Sequence, residues 1–460
     1  MSTGKDLAVA KMRAAHVNHT AISIFANYWD QLDSGVTGLI PEETITPLTS
    51  PDILSEGTET EEDREALAAT VMMKLNGGLG TSMGLNIAKS LLPAKDGLRF
   101  LDIIVRQVQW ARRTYQVKLP LLFLHSFNTR DDVLAALEAY PDLEVDGLGL
   151  DMMQSVEPKL LQSDLTPVSW PDNPKLEWCP PGHGDLYPTL LDSEILHHLI
   201  DAGYLYASVS NSDNLGASPS AQLAGWFART KAPFATEITP RTPMDVKGGH
   251  VAVRKLDGRL ILRETAQTPP DEMKYFTDPG IHPYAHCNNL WFNLVALRAK
   301  LEETSGVLGL PLIRNAKTVD PTDPSSPGVY QIESAMGSAI ECFEGARAIA
   351  VPRSRFIPVK TTNELTLLRS DVFVMGEDFI PRATVSPLPV VSLDKRYATI
   401  AGFDERLPYP LSLREATSLT VDGDWHFGSG VRVVGEAVLG TEGGSVPDGA
   451  VLGEAGTSSL

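Results

Sequence analysis

A short apolar run opens T-V-M-M-K-L-N-G-G-L-G-T-S-M-G-L-N-I-A-K-S, Thr70 to Ser90, the stretch around which the chain is organised. Val71, Met72, Met73 and Leu75 predict a buried strand, and Gly77, Gly78, Gly80 and Gly84 predict a turn that passes into a helix. Upstream, Ile22, Phe25, Trp29 and Leu32 recur at helical spacing, so one or two amphipathic helices with an aromatic core face are expected to end at Ser34-Gly35. The acidic run Glu56 to Glu65 reads as a solvated helix start, with carboxylates at the positive end of the dipole. Downstream, the pattern predicts helices at Leu98 to Trp110, Asp131 to Ala139 and Ser193 to Ala202. Strands are expected at Leu119 to Leu124, Leu148 to Met152 and Tyr204 to Val209. Alternating strands and helices imply an α/β fold around a doubly wound, mostly parallel sheet. Ligands of such sheets sit beyond the carboxyl ends of strands.

The pattern changes near residue 370. Leu407, Leu413, Leu419, Trp425, Val431 and Ala437 stand six apart, and Val421, Phe427, Val433 and Leu439 keep the same period. Six-residue periodicity predicts a left-handed β-helix, with Gly423, Gly428, Gly430, Gly435 and Pro447-Asp448-Gly449 at its corners. Three units are expected: an N-terminal helical segment at 1–50, a catalytic domain at 51–370 and the β-helix at 371–460. A β-helix stacks from its ends, so self-association through the last unit is one expectation and a purely structural cap the other.

Composition narrows the class. The chain has 460 residues and a net charge of −19, without a basic stripe, which argues against a general nucleic-acid binder. Three cysteines, Cys179, Cys287 and Cys342, form no C-x-x-C pair and fit a reducing compartment. Lys5, Asp6, Lys11 and Arg13 interrupt any signal-peptide run, so a cytoplasmic protein is expected.

Glycines at a strand end free the backbone to turn successive N–H groups toward phosphate, and Lys74 and Lys89 flank this loop. The loop matches neither the P-loop spacing nor G-x-G-x-x-G, whose third glycine position here is Met83. A turn that only packs a helix on a strand is the bland alternative.

Further motifs decide between them. K-L-N-G-G-L-G-T-S-M-G at Lys74 to Gly84 resembles the nucleotide-binding loop of the eukaryotic-type UTP–glucose-1-phosphate uridylyltransferases, or UDP-glucose pyrophosphorylases. In register with it follow Ser126-Phe127-Asn128-Thr129, Gln154-Ser155, Pro180-Pro181-Gly182-His183-Gly184-Asp185, and Ser210-Asn211 with Asp213-Asn214-Leu215-Gly216. Asp245-Val246-Lys247-Gly248-Gly249, Asn288-Asn289-Leu290-Trp291 and Val351 to Lys360 complete the series, which covers residues 70 to 370. The resemblance implies a Rossmann-like nucleotidyltransferase domain.

It also implies roles. Amides of Leu75, Asn76, Gly77, Gly78 and Gly80 would hold base and phosphates, Gln154 the uracil edge, Gly182 the base, and His183 the phosphates or ribose. On its own, His183 reads equally as a structural turn histidine. Asn211, Gly249, Asn289, Glu333 and Asn293 would meet glucose. Asp213, a carboxylate after a strand, fits Mg2+, which takes one or two protein carboxylates and completes its shell with phosphate and water; an Asx turn is the alternative.

The reaction implied joins UTP and glucose 1-phosphate to give UDP-glucose and pyrophosphate, with Lys89 and Lys360 as the catalytic cations. Two departures stand out. Ile87-Ala88 replaces the Gly-Pro that many relatives carry before the phosphate lysine, and Ser82 stands where bacterial-type and N-acetylhexosamine enzymes carry Arg. The second shifts phosphate binding toward Lys360. The rivals are a pyrophosphorylase of broader or N-acetylhexosamine specificity, a silent UDP-sugar-binding protein, and an assembly scaffold with the enzyme as passenger.

Overall fold

The computed structural model describes residues 3–54, 57–242, 245 and 248–453. Strand Thr70–Asn76 runs through its centre, buried at every residue except half-buried Leu75. Val71 and Met73 face one apolar layer, Met72 the other. A strand that buries both faces reads as a continuous apolar run, and this is why the run was legible. Helices Phe100–Tyr115 and Ala221–Thr230 cover the Met72 side. Leu186–Asp192, Ile195–Asp201 and Leu294–Glu303 cover the other.

The central sheet has eight strands, in the order Asp52–Ile53, Arg347–Ala350, Phe234–Pro240, Tyr284–Asn293, Tyr206–Asn211, Thr70–Asn76, Leu121–His125 and Asp151–Met153. Every neighbouring pair is parallel except the two made by Tyr284–Asn293. The expectation of a mostly parallel sheet holds for five of the seven pairs and is corrected only in that one antiparallel strand makes the sheet mixed. An apolar run sets burial and says nothing of strand direction.

A second correction concerns the glycine loop. No α-helix follows it; the chain makes 3-10 turns at Thr81–Met83 and Lys89–Leu91 and becomes α-helical only at Phe100. Gly84 turns the backbone at φ +69°, and an antiparallel bridge between Leu79 and Ala88 folds the loop back on itself. No α-helix therefore offers its positive end directly behind the loop, and loop amides and lysines are left to supply positive charge.

The N-terminal helices Gly4–Ala14 and His19–Asp33 start at Thr3 and Asn18, whose side chains cap Asp6 and Ala21 amides. Ser34 closes the second, and Gly35 follows at φ +83°. Ile22, Phe25, Tyr28, Trp29 and Leu32 pack on Leu160, Leu312 and Ile332, so the aromatic face is core. The acidic helix spans Glu61–Ala68, with Thr60 as its cap. Glu56 lies outside the described residues.

At the C-terminal end, Val390–Leu393, Ser412–Val421, Arg432–Leu439 and Val451–Leu452 stack in parallel, and Trp425–Phe427 pairs in parallel with Gly444–Val446. Leu419 faces Ala437 and Val421 faces Leu439, so these two coils stand three six-residue steps apart. Both six-residue series are buried, and their cluster is continuous with the Met72 layer.

Candidate active site

A cleft opens at the carboxyl ends of the central strands. Leu75, Gly77, Gly78, Lys89, Gln154, Pro180, Gly182, His183, Asn211, Ser212, Asp213, Asn288, Glu333 and Lys360 line it. It lies where the strand-end rule expects a ligand, because parallel strands deliver their loops to one edge.

One wall is a slot of backbone and amide. Gln154 Nε2 donates to the Gly182 carbonyl at 3.3 Å, and Ser126 Oγ donates to the Gly77 carbonyl at 2.7 Å. Gly182 adopts φ +79°, and a Cβ there would meet Ser334 O at 2.6 Å, so no other residue fits this turn. Glu333 packs behind Gly182, on the Gln154 side of the cleft. Burial pushes its carboxyl up, against the pull of Lys317.

His183 Nδ1 accepts the Met336 amide at 2.9 Å. Burial, and then the Lys360 charge, pull the imidazole down to about 4, so it is neutral at pH 7.

Another part of the lining carries charge. Lys89 Nζ donates to Asp213 Oδ2 at 2.8 Å and to the Val359 carbonyl, while Lys360 Nζ donates to the same Oδ2 at 3.0 Å. Burial pushes the Asp213 carboxyl up, but the two ammonium groups outweigh it and hold the group at about 2. Its Oδ1 is buried and has no hydrogen-bond partner among the described residues. An orphaned carboxylate oxygen beside a phosphate-sized cleft fits a hard divalent cation. Among the described residues no cluster of three or more carboxylates, histidines or cysteines could hold a metal, so substrate oxygens and water would complete the shell.

Lys89 needs no Gly-Pro to reach this place. Its amide donates to the Gly78 carbonyl at 3.4 Å, and Ala88 is fully buried against the loop. Lys74, by contrast, is turned inward: it donates to Ser210 Oγ and the Ala217 carbonyl, both at 2.7 Å, away from the cleft. Burial, reinforced by Arg355, pulls this ammonium down to about 7.

Other expected residues lie behind the walls. Asn76 is buried, accepting from Ser212 Oγ at 3.1 Å. Gly80 lies back from the cleft, its carbonyl accepting from the Met83 and Leu85 amides. Asn289 turns its amide to Glu237 at 3.0 Å, and Asn293 caps the helix Leu294–Glu303. Gly249 packs against the Glu264 carboxyl and accepts the His286 amide at 2.8 Å. Val246 and Lys247 lie outside the described residues.

Four residues escaped the sequence reading as site members. Pro180, Ser212 and Asn288 line the cleft, and Glu264 lies where it senses Lys360 while burial pushes its carboxyl up to about 7. Asn288 donates to Asn211 Oδ1 at 3.0 Å and adopts φ +53°. Paired asparagines inside an apolar strand were the available signal, since Asn tolerates the left-handed region.

Comparison with known proteins places this chain among relatives of one name. The sequence profile of the UTP–glucose-1-phosphate uridylyltransferase family matches residues 23–433. The enzyme of that name from Solanum tuberosum is 36% identical over 419 residues, 89% of this chain and 85% of its own. That from Saccharomyces cerevisiae is 34% identical, covering 92% of this chain and 83% of its own. A mutant UDP-glucose pyrophosphorylase from Leishmania major, crystallised with UDP-glucose, superposes with a TM-score of 0.92 at 40% identity, covering 99% of each chain. The glycine loop, the Gln154 slot and the lysine pair on Asp213 thus lie within matched sequence, and the chain belongs to the UTP–glucose-1-phosphate uridylyltransferase family.

Proposed function

We propose that the chain transfers UMP from UTP to glucose 1-phosphate, releasing pyrophosphate. The observation that carries this reading is the convergence of Lys89 and Lys360 on Asp213 in the same cleft that the Gln154–Gly182 slot lines. The slot has amide and carbonyl groups for a pyrimidine edge, and the charged wall takes phosphates.

In the step proposed, a phosphate oxygen of glucose 1-phosphate attacks the α-phosphorus of UTP. The bond to the bridging oxygen breaks, and that oxygen leaves with the electron pair as pyrophosphate. A phosphate monoester, with a second pKa near about 6, is already mostly dianionic at pH 7, so no residue need take its proton. What remains for the protein is alignment of two anions and neutralisation of their charge. Lys89 is anchored at both Asp213 and Val359, while half-exposed Lys360 is bonded through its ammonium to Asp213. Neutral His183 offers an Nε2–H donor without adding charge. Asp213 would hold Mg2+ through the free Oδ1; when bound, the ion supplies Lewis-acid charge stabilisation to phosphate oxygens. Asn211 and Asn288, hydrogen-bonded to each other, present amide groups suited to sugar hydroxyls.

The same reading takes 1–50, 51–370 and 371–460 as the three units and the C-terminal stack as a left-handed β-helix, supported by its six-residue period and three-step coil. Its exposed end is the proposed self-association surface. Free Cys179, Cys287 and Cys342 support work in a reducing, cytoplasmic setting, and among the described residues no helix is long and apolar enough to cross a membrane.

Pyrophosphate release from UTP, measured with magnesium across a panel of sugar 1-phosphates, tests the proposal. Glucose 1-phosphate is expected to support the fastest release. Release only with N-acetylhexosamine 1-phosphates, or with none, would overturn it.

A further inference from the structure

Behind Asp213 and Lys360 lies a charged pair that the mechanism above does not use. Glu237 is fully buried in strand Phe234–Pro240, where the pairing with Tyr284–Asn293 shifts register. Arg355 Nε donates to its Oε2 at 3.0 Å and Nη2 to its Oε1 at 2.8 Å. Asn289 Nδ2 and Trp291 Nε1 each donate to the carboxylate at 3.0 Å, so both oxygens carry two bonds. Burial pushes the Glu237 carboxyl up, yet Arg355, Asn289 and Trp291 together hold it below its ordinary value.

Arg355 is also where two active-site segments meet. Its Nη1 donates to the Ser218 carbonyl at 2.7 Å, and its own carbonyl accepts Asn214 Nδ2 at 3.1 Å. Asn214 Oδ1 in turn accepts the Ile357 amide at 2.9 Å. The segments approach so closely at Gly216 that a Cβ there would meet Ser354 O at 2.4 Å. One segment carries Asp213, the other Lys360, and the Val359 amide donates to the Asp213 carbonyl at 3.3 Å. A second fork, Arg353 to Asp245 at 2.6 and 2.9 Å, ties the Lys360 segment to the loop that leads to Gly249.

A buried ion pair is a poor way to gain stability, because apolar side chains of the same volume hold strands together as well or better. Its distinctive property is geometric: a guanidinium fork on a carboxylate fixes both distance and plane. Lys360 needs such help. Its side chain is 56% exposed, and among the described residues its ammonium bonds only Asp213. A lysine stem has many rotamers, so where the ammonium sits depends on the backbone that carries it.

We propose that Glu237 and Arg355 are positioning residues for catalysis, setting the register of the Lys360 segment against the Asp213 loop so that the Lys360 ammonium meets the reacting phosphates. The proposal rests on the reading of Lys360 as a cation that stabilises the transition state.

A mutant cycle tests it. Glu237→Gln with Arg355→Met removes both charges while leaving an acceptor for Trp291, and it is combined with Lys360→Met. The pair variant and Lys360→Met are each expected to lower kcat by about 10- to 100-fold, with KM for UTP within about threefold of wild type. Added to Lys360→Met, the pair substitution should lower kcat less than about threefold further, because the group it positions is gone. Losses that multiply would show that the pair acts on the site independently of Lys360 and would overturn the proposal. So would wild-type kcat in the pair variant while Lys360→Met is impaired. Wild-type turnover in Lys360→Met alone would instead strike the catalytic reading, and the positioning role with it. If thermal melting shows that the pair variant does not fold, Arg355→Lys replaces it. That variant keeps the charge and loses the fork, so the same non-additivity is expected from it, and additivity overturns.

Discussion

The Met336 amide donates to His183 Nδ1 at 2.9 Å, which leaves Nε2 to carry the ring proton. Burial and the Lys360 charge set the folded pKa at about 4, against about 6.5 for an unperturbed histidine. Between those values the unfolded chain binds the proton and the folded one does not, so stability through His183 is complete above pH 6.5 and falls as pH drops toward 4. His183→Gln, whose amide oxygen can still accept from Met336, removes this dependence. The stability difference between wild type and variant in urea titrations should widen from pH 4 to 6.5 and stay level above; a constant difference would refute the assignment.

Asp185 is predicted to behave in the opposite sense. It accepts the Ser155 amide at 2.6 Å and Thr189 Oγ1 at 3.2 Å, and burial pushes its carboxyl up to about 7 despite both bonds. Here the folded state binds the extra proton, so stability through Asp185 is complete below its unfolded pKa of about 3.9 and is lost as pH rises to 7. Asp185→Asn keeps the acceptor and removes the titration. The variant should gain on wild type as pH rises from 4 to 7, read from melting temperatures across that range.

Asp213→Asn should fold and turn over slowly. An amide cannot balance two ammonium groups or offer a metal a charged oxygen, so kcat is expected to fall at least about 100-fold, near 2.7 kcal/mol of barrier. Steady-state rates titrated with magnesium are the measurement. A kcat within about threefold of wild type would remove both roles from Asp213.

Gln154→Ala should weaken UTP and spare glucose 1-phosphate, because the amide spans the slot beside Gly182 and makes no bond to Lys89, Asp213 or Lys360. Calorimetric affinity for UTP should fall about 10-fold, the loss of one or two hydrogen bonds. Unchanged affinity would take Gln154 out of the base slot.

Much of this architecture was readable in advance for reasons that can be named. Strand Thr70–Asn76 was visible because it buries both faces, and the C-terminal coils because their period is strict. Lys89, Asp213 and Lys360 were named through resemblance, which carried the correspondence that spacing could not. The glycine loop misled: its glycines close a bridged turn instead of starting a helix, and Lys74 beside them faces the interior. Glu237 was invisible for a different reason. A single charge inside F-A-T-E-I-T-P reads as an outward position, and only the packed sheet shows that both faces of that strand are covered. The reversed direction of Tyr284–Asn293 left no mark on its composition, whereas the paired asparagines within it were a signal that the reading did not use for Asn288.

The cluster of Lys89, Asp213 and Lys360 in the cleft has a consequence for synthesis. Lys89 and Asp213 stand 124 residues apart in the chain, and Asp213 and Lys360 another 147. Contacts so distant in sequence form late, after the loops between them have closed. On a ribosome, the glycine loop and its strand emerge well before the second cation, and the Lys89–Asp213 pair waits on the carbonyl of Val359 to complete it. A nascent chain therefore passes through a long interval with the nucleotide slot translated and its phosphate wall unfinished. Chains arrested in that interval should be catalytically dead, so activity reports on full translation through Lys360.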